Sequence, residues 1–404
     1  MVDLTDVSAD LRAEAEAIAA DVVALRRAIH RRPELGLANP ETQALILEAL
    51  DGLGLEITTG RELTSVVATL RGARPGPTLL LRADTDALPM TEDTEWEHRS
   101  EIGDTAHVCG HDAHVAMLVG AARVLAAHRD ELAGTVRFIF QPGEEGQGGA
   151  AFMLEEGILT DGLDEPVAAA FAIHITPNIP AGMVASRAGS LMASADEFFV
   201  TIRGQGGHAS TPHFATDPVP VACEAVTALQ AMVTRTVNAF DPAVVTVAHV
   251  TAGTTTNVIP ETAKFSGTIR TVSEWTRIGV QAGVERVADG VAAAHDCTAE
   301  VRIQDGYPVT INDAGFVEFA AETVRQAFGE ESWFEMPWPI MGAEDFSYIL
   351  QKVPGAMFFL GVCPDDIANS LDAPSCHSNL MRLNESALPV GVALHAAVAL
   401  RYLS

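Results

Sequence analysis

Basic side chains are scarce in this 404-residue chain: 25 lysines and arginines stand against 54 aspartates and glutamates, a formal charge of -29. A field of that sign repels phosphate backbones and anionic bilayers, which excludes nucleic acid and membrane surfaces as partners. Long apolar runs are missing too, since none approaches the ~20 residues needed to span a bilayer. The opening MVDLTDVSAD has neither the basic nor the apolar region of a secretory signal, so a cytoplasmic location is expected. Cysteine is sparse. Cys109, Cys223, Cys297, Cys363 and Cys376 are odd in number and widely spaced, which excludes a disulfide framework and leaves reduced thiols. No low-complexity tract and no internal repeat interrupts the chain.

What is present is ample apolar material: 48% hydrophobic against 20% charged residues, the balance of a globular enzyme. The length exceeds what one core usually serves, so two domains are expected. Apolar residues at helical spacing run over 9–30, and a second helix follows Asn39-Pro40. Short apolar runs then read as buried strands (TSVVATLRG, TLLLRADTDA, GTVRFIFQPGEE, VAAAFAIHITP), with the helix DAHVAMLVGAARVLAAHRDEL between the second and third. This alternation predicts a mixed α/β domain with a central, largely parallel sheet and a site beyond the strands' carboxyl ends.

The rhythm changes near Gly189. From there the order is β-α-β-β-α-β, an α+β ferredoxin-like (split βαβ) arrangement. Its first helix has Asp217 as N-cap and Pro218 at the first helical position, and its second begins near Ser273. The expected organisation is a catalytic domain over 1–188 and 305–404, interrupted by an inserted domain over 189–304. MFFLG and ESALPVGVALHAAVALRYL supply a strand and a closing helix to the second part.

Ligand chemistry concentrates at His107-Val108-Cys109-Gly110-His111-Asp112-Ala113-His114, just before a long helix. A thiolate and imidazoles two and five positions on suit zinc or a similar metal, and Gly110 lets the backbone turn between them. A redox thiol or a polar helix cap is the competing reading, and the redox reading wants a second cysteine in the motif. Asp112 and His114 are candidates for orienting the ligands. Glu144 and Glu145 follow strand VRFIF in Gln141-Pro142-Gly143-Glu144-Glu145-Gly146; their repulsion is tolerable if one binds a cation while the other holds a water proton, and an exposed acidic turn is the alternative. His174, ending VAAAFAIHI, and His377, in Ser375-Cys376-His377-Ser378-Asn379, are either core histidines or the completion of a two-ion donor set.

Eight segments in order carry a family resemblance: IHRRPELG, LLLRADTDALPM, CGHDAHVAMLVGAA, FQPGEEGQGGA, GGHASTPH, TNVIPETAKFSGTIRT, MGAEDFSY and HSNLMRLNESALPVG. Together they resemble the metallo-aminoacylases and carboxypeptidases, in the subgroup of hippurate hydrolases, auxin-conjugate hydrolases and N-acetyl-diaminopimelate deacetylases. The resemblance implies two divalent metal ions (zinc, manganese, cobalt or nickel) on Cys109, His111, Glu145, His174 and His377, with Glu144 as general base. It further implies that His208 of the inserted domain stabilises the oxyanion in a partner subunit's site, and that Asn257 and Arg270 hold the substrate's carboxylate. A homodimer joined through the inserted domain follows from that trans role. Arg82-Ala83-Asp84 stands where wider relatives carry a ligand His-x-Asp; arginine cannot bind a metal, so Asp84 is kept as a supporting residue. The chain also departs from the subgroup at Gly143, where alanine is frequent, and at Asn379, where a proline usually follows His-Ser. The implied activity is hydrolysis of N-acyl amino acids, with a dipeptidase or carboxypeptidase on the same site, or a silent metal-binding relative, as alternatives. Residues around Leu191 to Ala195, Met341 and Phe346 are expected to shape the acyl pocket.

Overall fold

The computed structural model describes residues 4–404, with side chains described from Asp10 onward. The chain forms two compact units: Met1–Gly189, Ile311–Pro337 and Tyr348–Ser404 make the larger, Ser190–Thr310 and Trp338–Ser347 the smaller.

In chain order the larger unit begins with helices α1 (Leu4–Ala17), α2 (Ala19–Arg31) and α3 (Pro40–Leu50) and strands β1 (Glu56–Thr59), β2 (Val66–Arg71) and β3 (Arg74–Asp84). Then come α4 (His111–Ala127), β4 (Ala133–Gln141), α5 (Gly149–Glu155), β5 (Val167–Thr176) and β6 (Val184–Ser186). The smaller unit contributes β7 (Asp196–Arg203), α6 (Pro218–Thr236), β8 (Ala243–Ala252), β9 (Thr262–Thr271), α7 (Glu274–Ala294) and β10 (Thr298–Gln304). The larger unit resumes with α8 (Ala314–Phe328), β11 (Trp333–Glu335), β12 (Gly355–Gly361) and α9 (Leu388–Tyr402). The single helical run read over 9–30 is divided at Ile18, whose φ of -102° and ψ of 4° leave helical geometry.

The larger unit's eight-stranded sheet has the order β1-β2-β4-β3-β5-β12-β6-β11. Its four middle strands β4, β3, β5 and β12 are mutually parallel, and antiparallel pairs flank them. Strands buried on both faces need apolar side chains on both, which is why β4, β5 and β12 read as continuous apolar runs rather than alternating ones. Helix α4 is buried almost all round, which matches its apolar circumference. It packs so closely on α9 that a Cβ at Gly391 would lie 2.1 Å from the Met117 sulfur. The ladder sets Asp84, the last residue of β3, opposite Gln141, the last of β4. On the other side Arg82 pairs with Ala172, which brings His174 of β5 level with Asp84.

The smaller unit is an antiparallel sheet in the order β8-β9-β7-β10 with α6 and α7 on one face, the ferredoxin-like arrangement. Asp217 and Ser273 cap the two helices, accepting from the N–H groups of Val219 and Thr276. The segment 338–347, which the sequence reading gives to the catalytic domain, is tied to this unit: Ala193 N–H donates to the Ile340 and Gly342 carbonyls, and Ile340 N–H to Leu191. Leu191 to Ala195 and Met341, expected around the acyl pocket, are thereby neighbours. Among the described residues no helix is long and apolar enough to cross a membrane.

A buried ion pair braces the smaller unit internally. Arg277 reaches both oxygens of Asp196 at 2.6 and 2.9 Å, and Asp196 also accepts from Gly306 N–H at 3.0 Å. Asp196→Ala removes the bidentate partner of a largely buried guanidinium and leaves it Glu274 at 3.2 Å, so a loss of about 3 kcal/mol is expected in denaturant unfolding of this unit. A loss below measurement error would show that solvent already screens the pair.

Candidate metal centre

Three adjacent parallel strands deliver the pieces. Beyond β4 the chain turns through Pro142 and Gly143, whose φ of 79° is left-handed, into Glu144 and Glu145. The turn is pinned from β3's exit: Asp86 accepts the Glu144 N–H at 2.9 Å on one oxygen and the Glu145 N–H at 3.0 Å on the other. Gly110 starts α4 at a φ of 91°, and a Cβ there would meet the Ile175 side chain at 2.5 Å, so only glycine fits between Cys109 and His111. His377 also sits in the left-handed region at φ 69°, held there by its N–H donating to the Val108 carbonyl at 2.8 Å.

All five expected ligands come together. One triplet is Cys109, His111 and His174; another is Cys109, Glu145 and His377; within each, the donor atoms lie within 4.8 Å of one another. His111 donates Nδ1–H to the Asp86 carbonyl at 2.8 Å, which turns Nε2 toward the donor cluster as the nitrogen that could bind a cation. His174 is oriented similarly, with Nδ1 2.6 Å from the Ile175 carbonyl and Nε2 3.4 Å from Cys109 Sγ. Buried polar atoms seldom go unpaired, yet His111 Nε2 has no hydrogen-bond partner. It lies 3.9 Å from Glu145 Oε1, which is itself 3.2 Å from His377 Nε2. Donors this close, of mixed sulfur, nitrogen and oxygen type, fit divalent cations.

Electrostatics support the same conclusion. A hydrogen bond with Cys376, burial, and the carboxylates of Glu145 and Glu144 push the Cys109 thiol well up. Burial opposes protonation of His111, but Asp84, Asp86 and Glu145 outweigh it and raise its pKa to about 10. Burial, with His114 adding to it, keeps His174 neutral. A cation among these groups reverses the balance for the thiol.

Asp112 and His114, the candidates for orienting the ligands, and Asp84, the supporting residue, form contacts of their own around the cluster. His114 donates Nδ1–H to Asp84 at 2.6 Å and accepts the Ile175 N–H at 2.8 Å on Nε2, so both its nitrogens are engaged. Asp84 also takes a guanidinium N–H of Arg82 at 2.7 Å. Burial works against the charge on Asp84, but Arg82, His111 and His114 hold its carboxyl well below the usual range. Asp112 turns the other way, onto Arg26 at 2.6 Å and His30 at 2.8 Å. Backbone carbonyls, not carboxylates, fix the two ligand imidazoles. Cys376, distant in sequence, lies beside Cys109 with its sulfur 3.8 Å from the Cys109 carbonyl, so the fold supplies the second cysteine that the motif lacks. Both are free thiols.

In the smaller unit His208 and Asn257 adjoin: His208 pairs with Val258, and Ala209 N–H donates to the Asn257 carbonyl. With neighbouring residues they line an open cleft of about 450 Å³. Ser210 N–H donates to His208 Nδ1 at 3.1 Å, so the neutral ring carries its proton on Nε2 and is a donor there. Arg270 is not with them. It lies at the far end of β9, roughly 25 Å along an extended strand at ~3.4 Å per residue.

The model of peptidase family M20/M25/M40 matches residues 80–401. The chain belongs to that family. It is 42% identical over 386 residues to an IAA-amino acid hydrolase of Arabidopsis thaliana, "ILR1-like 2", covering 95% of this chain and 85% of that protein. It is 36% identical to thermostable carboxypeptidase 1 of Saccharolobus solfataricus, over 94% and 95% of the two chains. A Bacillus subtilis crystal structure described as a dinuclear metal-binding peptidase of the M20 family superposes with a TM-score of 0.84 at 34% identity, over 96% and 99% of the chains. The M20 chain is thus a hydrolase with a metal centre. Asp86 is the residue that sequence reasoning missed. Its signal was its place two residues beyond Asp84 in RADTD, at the exit of a strand ending level with the Glu-Glu turn.

Metal loading must displace protons from this site. Apparent affinity for a divalent ion is expected to climb with pH toward the raised His111 value of about 10. Loading the chelated protein at pH 7 should release about two protons. Calorimetry in buffers of different ionisation enthalpy measures the release, and none at all would contradict the donor assignment. For the metal-free fold the dependence runs the other way: the raised His111 pKa stabilises it fully below the ordinary 6.5, and the contribution is lost as pH rises through about 10.

Proposed function

We propose that the protein is a cytoplasmic two-metal amidohydrolase that cleaves the amide bond of N-acyl amino acids to a carboxylic acid and a free amino acid. The observation that carries the reading is the Asp86-anchored turn, which fixes two adjacent glutamates at one donor cluster. Glu145 is the ligand, and Glu144 has the separate task of moving a proton. Cys109, His111, Glu145, His174 and His377 would hold the cations, with Cys109 common to the two triplets described above. Zinc, manganese, cobalt or nickel suits the set. Once bound, the cations supply Lewis acidity toward water and the amide carbonyl.

Glu144 takes the proton of the attacking water and returns it to the leaving amine. His208 of the partner subunit donates Nε2–H to the developing oxyanion, and Asn257 and Arg270 hold the substrate's carboxylate. The separation along β9 supports sharing between subunits, because one copy of the smaller unit cannot place Arg270 beside His208 and Asn257 on one small substrate. The unpaired edge of β8 offers the surface for a homodimer joined through the inserted domain. Free thiols throughout accord with a reducing compartment. Carboxypeptidase action at the same site is the second reading, favoured by the Saccharolobus relative; a panel of N-acetyl, N-benzoyl and dipeptide substrates separates the two.

Glu144→Gln is expected to lower kcat by about 10²- to 10⁴-fold with full metal content by elemental analysis; near-normal turnover would remove Glu144 from its role. Mixing inactive Glu144→Gln and His208→Ala proteins under subunit exchange should restore activity to about a quarter of wild type, since each heterodimer regains one complete site. Activity that stays at the level of the parents would mean that His208 does not act in trans.

A further inference from the structure

Behind the metal centre lies a buried polar cluster with no part in the proposed reaction. At its middle is His30 of α2, in the IHRRPELG segment, 2% exposed. Its Nδ1 is 2.8 Å from Asp112 Oδ2, and its Nε2 is 3.2 Å from Glu92 Oε2. Arg26, one helical turn earlier and fully buried, also reaches Asp112 at 2.6 Å and lies 3.0 Å from His30 Nδ1.

The two carboxylates lead to different ligands. Asp112 follows His111 directly in the first turn of α4. Glu92 precedes Asp93, which is joined to Asn379 twice: Asp93 N–H donates to the Asn379 carbonyl at 2.8 Å, and the Asn379 amide donates to the Asp93 carboxylate. Asn379 is two residues beyond His377.

We propose that His30 is a positioning residue for both halves of the metal site, holding the Cys109–His111 turn through Asp112 and the His377 loop through Glu92, Asp93 and Asn379. The inference rests on the two-metal reading. It adds that the two arms are separable, and that Asn379 is the chain's own means of anchoring the second one. Outer partners of this kind typically account for 10- to 100-fold in metal affinity.

The test is uptake of Co²⁺ by the chelated protein, followed by the thiolate-to-cobalt absorption band and by calorimetry. Wild type should take up two equivalents. Asn379→Ala, a change at a partly exposed residue, should weaken one equivalent about tenfold or more and leave the other unchanged. His30→Ala should weaken both and alter the band. His30→Gln, whose amide can still donate toward Glu92, should recover the equivalent that Asn379→Ala loses. A purely structural role would lower the melting temperature of the metal-free variants without this selective loss and recovery. Wild-type uptake of two equivalents with unchanged affinities in Asn379→Ala and His30→Ala overturns the proposal. Failure of wild type itself to take up two equivalents overturns the two-metal reading, and the positioning role falls with it.

Discussion

Everything at the site depends on the register of three parallel strands. β3 lies between β4 and β5, and the ladder ends with Asp84 opposite Gln141 and His174 level with both. From that edge Asp86 reaches the Glu144 and Glu145 amides, His111 reaches the Asp86 carbonyl, and His114 bridges Asp84 to Ile175. A slip of one residue in β3 would turn Asp84 to the opposite face and break each of these bonds. The apolar burial on both faces of the middle strands is therefore what fixes the donor geometry.

The cluster so fixed is unbalanced by itself. A buried thiol surrounded by carboxylates is held protonated, a buried imidazole is forced to carry charge, and that imidazole's Nε2 has no hydrogen-bond partner. Such an arrangement costs stability unless something positive replaces the protons. The local fold tolerates it because the surroundings are strongly held: the left-handed His377 is tied to Val108, and Arg82 compensates Asp84. Arg82 contributes a fixed positive charge beside Asp84.

Much of this was legible in the sequence because the signals were local. Continuous apolar runs gave the middle strands, the β-α-β-β-α-β rhythm gave the smaller unit, and Cys-Gly-His before an apolar helix pointed to two residues of the donor cluster. Asp217 and Ser273 acted as caps where residue type and position foretold them. The rest depended on tertiary placement. Asp112 stands next to a ligand in sequence, but helical geometry turns it onto α2, toward Arg26 and His30. Cys376 is far from Cys109 along the chain yet touches its backbone. The segment 338–347 pairs across a long excursion with Leu191 and Ala193, which no periodicity could reveal. Short edge strands such as β6 and β11 carry too few residues for a pattern.

The discontinuous larger unit also imposes an order in time. The core of the smaller unit comes from one uninterrupted stretch, Phe198 to Ile303, and can collapse as soon as that stretch is synthesised. The larger unit must wait for β12 to pair with β5 and for α9 to close on Met117 of α4. His377 lies between those two late elements. During synthesis the first four donors therefore precede the fifth by some two hundred residues of chain, and the donor set is complete only once His377 has been made.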